Sequence, residues 1–198
     1  FSWLDSIPRD DDHGWWYFVE ESYYFTANPW VKDWYKFVAE VRKSSLDHYP
    51  PDSIASYYSS RAQGHMLANV LQAYRVTGDI SLLNRFYNYY KIYLSKTQYK
   101  TFGFKTSTWY RESVWQGGFL LNPLISYMEE IRDSNPQAFA DVFQFISGYM
   151  DWNYYYGNFG HYVWTLWGTI GYSYFGSQTF IDPQVWYYAN TGKQKYLD

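Results

Sequence analysis

Three observations predict an all-α fold, an array of antiparallel helical hairpins. Between Arg61 and Leu94 the apolar residues recur at helical spacing, first as Met66, Leu67, Val70, Leu71 and Tyr74, then as Leu82, Leu83, Phe86, Tyr90, Tyr93 and Leu94. Between the two runs stands Tyr74-Arg75-Val76-Thr77-Gly78-Asp79, in which Gly78 can adopt the left-handed conformation that closes one helix and Asp79 can accept from the free amides opening the next. So short a turn makes the two helices antiparallel neighbours. Tyr-x-x-Thr followed by Gly or Ala recurs at Tyr23, Tyr74 and Tyr188, and helix starts near His13, Gly64, Gly117 and Gly160 return about every fifty residues, the mark of repeated supersecondary units.

Along the chain, Asp10, Asp11 and Asp12 sit where a helix N-terminus favours negative charge, ahead of Trp15, Trp16, Phe18, Val19 and Tyr23. Pro29 opens the returning helix, whose predicted buried stripe is Trp30, Trp34, Phe37, Val38 and Val41. The first hairpin is therefore expected at about 13–46, and Asp47-His48-Tyr49-Pro50-Pro51-Asp52 as a linker. The central hairpin follows at 61–95. Tyr99 to Trp109 reads as a short extended excursion around Gly103. A third hairpin, 112–152, carries Leu120, Leu124, Tyr127 and Ile131, then Phe139, Val142, Phe143, Ile146, Tyr149 and Met150, with a kink expected at Pro123 and a turn at Asp133-Ser134-Asn135-Pro136. The last, 161–198, contains a glycine-bearing helix from His161, a cap at Asp182-Pro183 and a helix that begins at Gln194-Lys195-Tyr196 and stops. Because the chain opens Phe1-Ser2-Trp3 and ends one turn into that helix, the single domain 1–198 is expected to be a portion of a longer chain whose remaining hairpins are its partners.

Composition narrows the function. The 198 residues carry a net charge of -3 with Lys and Arg scattered, which excludes the electrostatic footprint of a nucleic-acid binder. There is no cysteine, hence no disulfide, thiolate metal site or cysteine nucleophile. No metal spacing, phosphate loop or nucleophile elbow is visible, so neither a metal nor a cofactor is expected. The uncharged run from Phe159 to Ile181 has the length of a membrane span, but its glycines, tyrosines and serines suit a buried helix better. The chain holds 25 Tyr, 14 Phe and 11 Trp, a load open to two readings: a large core in which amphipathic tyrosine and tryptophan rings find partners, or an interior partly lined for stacking against sugars.

Three predicted helix starts pair glycine with histidine: His13-Gly14, Gly64-His65 and Gly160-His161. Ala73-Tyr74-Arg75-Val76-Thr77-Gly78-Asp79 and Tyr188-Ala189-Asn190-Thr191-Gly192 resemble the inter-helix turns of the (α/α) toroid family of carbohydrate-active enzymes, the polysaccharide lyases and glycoside hydrolases. Asp12-His13 and Arg61-x-x-Gly64-His65 look most like exo-acting rhamnogalacturonan lyase relatives. The resemblance implies part of an (α/α) toroid, an oligo- or polysaccharide partner and a secreted or periplasmic location.

Arg61 and His65 are four apart and so share a helix face. Elimination from a uronate needs a base for the proton beside the carboxylate and a cation for the enolate-like transition state, roles open to His65 and Arg61. Tyr57, Tyr58, His13 and His161 are further candidate proton carriers, and Trp15, Trp16, Trp109, Trp115 and Trp164 candidate sugar platforms. The competing structural readings are an ion pair for Arg61 and a hydrogen-bonded helix-start ring for His65. Hydrolysis needs two carboxylates about 5–10 Å apart, for which Asp12, Glu20, Glu21, Asp151 and above all Glu112 are available. The third possibility is a non-catalytic helical repeat that binds a glycan or a protein on an aromatic face.

Overall fold

The computed structural model describes residues 17–48, 60–96, 114–154 and 178–196. Every regular element among them is helical: α1 (Tyr17–Thr26), α2 (Pro29–His48), α3 (Ser60–Thr77), α4 (Ser81–Ile92), α5 (Val114–Ile131), α6 (Pro136–Trp152) and α7 (Gln178–Thr191), with 3-10 turns at Leu94–Lys96 and Gln194–Tyr196. The all-α expectation holds. The excursion at 99–109 and the helix expected from His161 lie outside the described residues.

The Tyr-x-x-Thr motif is a helix-ending device, built the same way each time. Ala27, Gly78 and Gly192 take positive φ of 49°, 75° and 67°. Each donates its N–H to the carbonyl of the motif tyrosine, Tyr23, Tyr74 or Tyr188, at 2.7 Å in every case. The threonine hydroxyls of Thr26, Thr77 and Thr191 donate back to Ser22, Ala73 and Tyr187 and accept from the amides of Asn28, Asp79 and Lys193. In the first two copies an Asx side chain then opens the next helix: Asn28 Oδ1 accepts from Trp30 N and Asp79 Oδ1 from Ser81 N, both at 3.0 Å. The α5–α6 connection uses a different closure, with Asn135 Oδ1 accepting from Ala138 N and Pro136 at the first helical position.

Helices joined by these turns pack against each other, α1 on α2, α3 on α4 and α5 on α6. Between the pairs, α3 lies against α5 and α5 against α7. Close approach at these two interfaces rests on one arrangement used twice. A Cβ on Gly64 would stand 2.1 Å from the carbonyl oxygen of Phe119, and one on Gly118 2.2 Å from that of Thr179. Four residues beyond these carbonyls stand Pro123 and Pro183, both inside their helices. Proline has no N–H to donate to the carbonyl four residues back, and it is against these two carbonyls that the glycine of the neighbouring helix packs, an arrangement suited to Cα–H···O contact. At the opposite ends of the same helices Arg75 Nε donates to Glu130 at 2.6 Å and Trp186 Nε1 to Glu129 at 3.0 Å. The contacts at both ends make α3, α5 and α7 run in one direction, with their starts together.

The apolar spacing of α3 and α4 delivers most of its predicted core: Met66, Leu67, Val70, Leu71, Leu82, Leu83, Phe86, Tyr90 and Leu94 are all buried, the aliphatic ones each worth roughly 1.5–3 kcal/mol on removal from water, while Tyr74 and Tyr93 are only half-buried. Phe86 stacks on Tyr127 of α5 at 4.3 Å. Outside this central region several expectations are corrected. On α2 the buried positions are Val31, Tyr35, Ala39 and Leu46, one residue round from the predicted stripe, while Trp30 is 66 % exposed and stacks on Trp34 at 6.3 Å. A helix buries only the side that meets its neighbours, and on α2 that side carries the smaller residues and a tyrosine. The first pair extends through Asp47 and His48 rather than ending at 46. Asp182-Pro183 caps nothing, because α7 already runs from Gln178 and passes through Pro183; Pro123 lies inside α5, as expected. Residues Gln194–Tyr196 form a 3-10 turn rather than an α-helical start.

Candidate functional site

α3 begins at Ser60, which places Arg61 in its first turn and His65 in its second instead of at the helix start. Asn69 and Gln72 continue the same face at helical spacing, so Arg61, His65, Asn69 and Gln72 form one polar stripe along the helix. Its direction follows from the neighbouring positions. Gln63 Oε1 accepts from the hydroxyl of Tyr89 on α4 at 3.1 Å, and Gly64 meets Phe119 on α5. At 100° per residue the stripe therefore lies on the side of α3 turned away from α4.

The stripe reaches solvent only at its first residue. Arg61 is half-buried, whereas His65 and Asn69 are 1 % exposed and Gln72 2 %. The imidazole of His65 packs on Phe119, ring centres 5.0 Å apart at 46°. Deeper in, Asn69 Nδ2 and both amide atoms of Gln72 have no hydrogen-bond partner among the described residues. Each such buried polar group costs about 1–3 kcal/mol when unsatisfied, a large burden for one helix. These two amides escaped the sequence reading. The signal was available, since they extend the four-residue spacing of Arg61 and His65 through an otherwise apolar run.

The other predicted residues divide plainly. Trp115 belongs to the first turn of α5. His13, Tyr58, Glu112 and His161, with Trp15, Trp16, Trp109 and Trp164, lie outside the described residues, as do Asp12 and Tyr57. Of the carboxylates proposed for hydrolysis, Glu20 is buried, accepts from the Tyr24 hydroxyl at 3.0 Å and stands 3.9 Å from Arg75; burial and this carboxylate push the Tyr24 hydroxyl up to about 12. Glu21 is exposed. Asp151, at the far end of α6, accepts from Tyr196 and pairs with Lys195 at 3.1 Å.

A groove of about 640 Å³ lies between α4 and α6, lined by Tyr90, Lys91, Asp141, Gln144 and Phe145 among others, and the stripe residues of α3 do not border it. Among the described residues no three His, Cys, Asp or Glu side chains cluster as metal ligands, and no helix is long and apolar enough to cross a membrane. Compared with known protein families, characterised proteins and solved structures, the chain matches none.

Proposed function

We propose that this chain is a carbohydrate-active enzyme domain of the (α/α)-toroid type, an acidic-polysaccharide lyase acting outside the cytoplasm. The observation that carries the reading is the position of Arg61 and His65, one turn apart on α3 at the end where α3, α5 and α7 begin. Helix starts carry partial positive charge and free amides, and together with the Arg61 guanidinium they favour a uronate carboxylate there. In the reaction His65 removes the proton from the carbon bearing the carboxylate, and Arg61 balances the negative charge that develops on the carboxylate oxygens. The electron pair left on that carbon forms the new double bond as the neighbouring glycosidic C–O bond breaks, and the departing oxygen takes up a proton.

The test is incubation of the chain with uronate-containing polysaccharides while ultraviolet absorbance is followed. An unsaturated product is expected from the wild type, and none from His65→Ala with helical circular dichroism unchanged. Release of reducing ends without absorbance would replace the lyase by a hydrolase.

A second reading, a non-catalytic helical repeat that binds glycan, is favoured by the burial of His65, because a ring 1 % exposed and covered by Phe119 does not meet a polymer without movement of its cover. Saturable binding of oligosaccharides with neither product would select it.

A further inference from the structure

We infer that the groove between α4 and α6 is a second saccharide-binding site, which holds an acidic oligosaccharide by pairing a uronate carboxylate with Lys91 and sugar hydroxyl groups with Gln144 and Ser147. The inference rests on the glycan reading above and adds to it a place where the polymer is held away from Arg61 and His65.

The groove is open to solvent and its width is set by the fold. Where α3, α5 and α7 meet, glycines let one backbone reach the next, but α4 and α6 are spanned by tyrosine side chains. The hydroxyl of Tyr87 donates to the Asp141 carboxylate at 2.6 Å, that of Tyr90 to the Asp141 carbonyl at 2.8 Å, and the Tyr90 ring meets Phe145 edge-on at 5.7 Å. A cleft held in this way is in place before a ligand arrives, which lowers the cost of binding. Its volume of about 640 Å³ falls within the range of roughly 300–1,000 Å³ usual for small-ligand sites. Buried Tyr90 and Phe145 form the floor, while Lys91, Ser95 and Gln144 are exposed and Ser147 half-buried along the sides.

The lining selects the ligand class. Both oxygens of the Asp141 carboxylate are engaged, one by Tyr87 and the other by Gln137 at 2.7 Å, so Lys91 supplies the charge that a ligand meets. Its ammonium lies over the Tyr87 ring, 4.6 Å from the centre, which keeps it beside the groove. Across from it Gln144 and Ser147 are three residues apart on α6 and so present an amide and a hydroxyl together. The Ser95 hydroxyl donates to the Lys91 carbonyl at 2.6 Å, leaving its oxygen to accept. One ammonium among an amide and two hydroxyls matches a ligand with one carboxylate and several hydroxyl groups per unit, which is a uronate sugar. A polyphosphate would call for several cations, and an amphipathic helix for a longer apolar strip than Tyr90 and Phe145 provide.

The test uses the whole chain labelled with nitrogen-15, with trigalacturonate as the acidic probe and maltotriose as the neutral one. The backbone amide shifts of Ser95 and Gly148, which border the groove, report its occupancy alone. Saturable shifts at both are expected with trigalacturonate, and weaker binding with maltotriose. Lys91→Met is expected to weaken trigalacturonate about tenfold and to remove its advantage over maltotriose, and Gln144→Ala to weaken it several-fold. Both side chains are exposed, so helical circular dichroism should be unchanged. Unaltered affinity in either variant overturns the inference, and so does a loss that comes only with loss of helical signal. Trigalacturonate shifts confined to other parts of the chain overturn the groove site while leaving the glycan reading in place. Shifts nowhere in the chain with either saccharide overturn the glycan reading itself.

Discussion

At its C-terminal end α3 closes through bonds made almost entirely within the span Ala73–Ser81, whereas near its start it depends on a carbonyl contributed by α5, more than fifty residues away in the chain. The turn recurs with nearly the same distances wherever Tyr-x-x-Thr and a small residue occur, and it tolerates alanine in one of its three copies. The Gly64–Phe119 contact, by contrast, leaves no room for even one added carbon. Local bonds absorb substitution by small changes in torsion, while a backbone-to-backbone approach between packed helices has no slack.

The sharpest way to break this contrast is Gly64→Ala. The new Cβ would stand 2.1 Å from Phe119 O and 2.4 Å from its carbonyl carbon, both backbone atoms, so α3 and α5 must separate. A loss of about 3 kcal/mol, the upper end of the range for overpacked cores, is expected in denaturant unfolding because the clash is with backbone. Gly118→Ala at the α5–α7 interface should behave alike. A mild effect at either position would show that these helices slide freely and that the paired glycine and proline are incidental.

Smaller effects are expected at the turns, and of opposite sign in two copies. Gly78 has φ +75° with nothing near a prospective Cβ, so Gly78→Ala costs only backbone strain, about 1 kcal/mol. Ala27 sits at φ +49°, and Ala27→Gly should stabilise by a few tenths to about 1 kcal/mol. Equal signs in thermal melts would mean that the copies are not equivalent.

The smallest effect distinguishes the α3–α4 turn from the α1–α2 turn by charge. Hydrogen bonds from Lys43 and then from Ser81 hold the Asp79 carboxyl down at about 2, below its ordinary 3.8; the corresponding Asn28 has no charge to titrate. A depressed carboxyl stabilises the fold above its unfolded value and loses that contribution as pH falls through its folded one. Stability should therefore drop between about pH 4 and pH 2 by on the order of 1 kcal/mol or less, given partial exposure of the pair. Asp79→Asn should flatten that portion of the pH profile, and an unaltered slope would remove the Lys43–Asp79 bond from the account.

Much of this was legible in the chain itself. The turns were, because their bonds join residues within a few positions and the residue types permit little else: a threonine hydroxyl to bond back, a glycine for positive φ, an aspartate for the next helix. The all-α class and the core of α3 and α4 were also, through apolar spacing alone. The tertiary structure decided which side of α2 meets its neighbours, exposing Trp30 and burying Val31, because a helix is covered only where other parts of the chain reach it. It also decided that Pro183, expected as a cap, lies inside a continuous helix as Pro123 does, each four residues beyond a carbonyl against which a neighbouring helix packs. And it set the depth of the candidate site: spacing puts Arg61, His65, Asn69 and Gln72 on one face, but only the packing of α5 against that region of α3 covers His65 with Phe119. Spacing along a helix is a property of the chain, whereas burial is a property of what lies across from it.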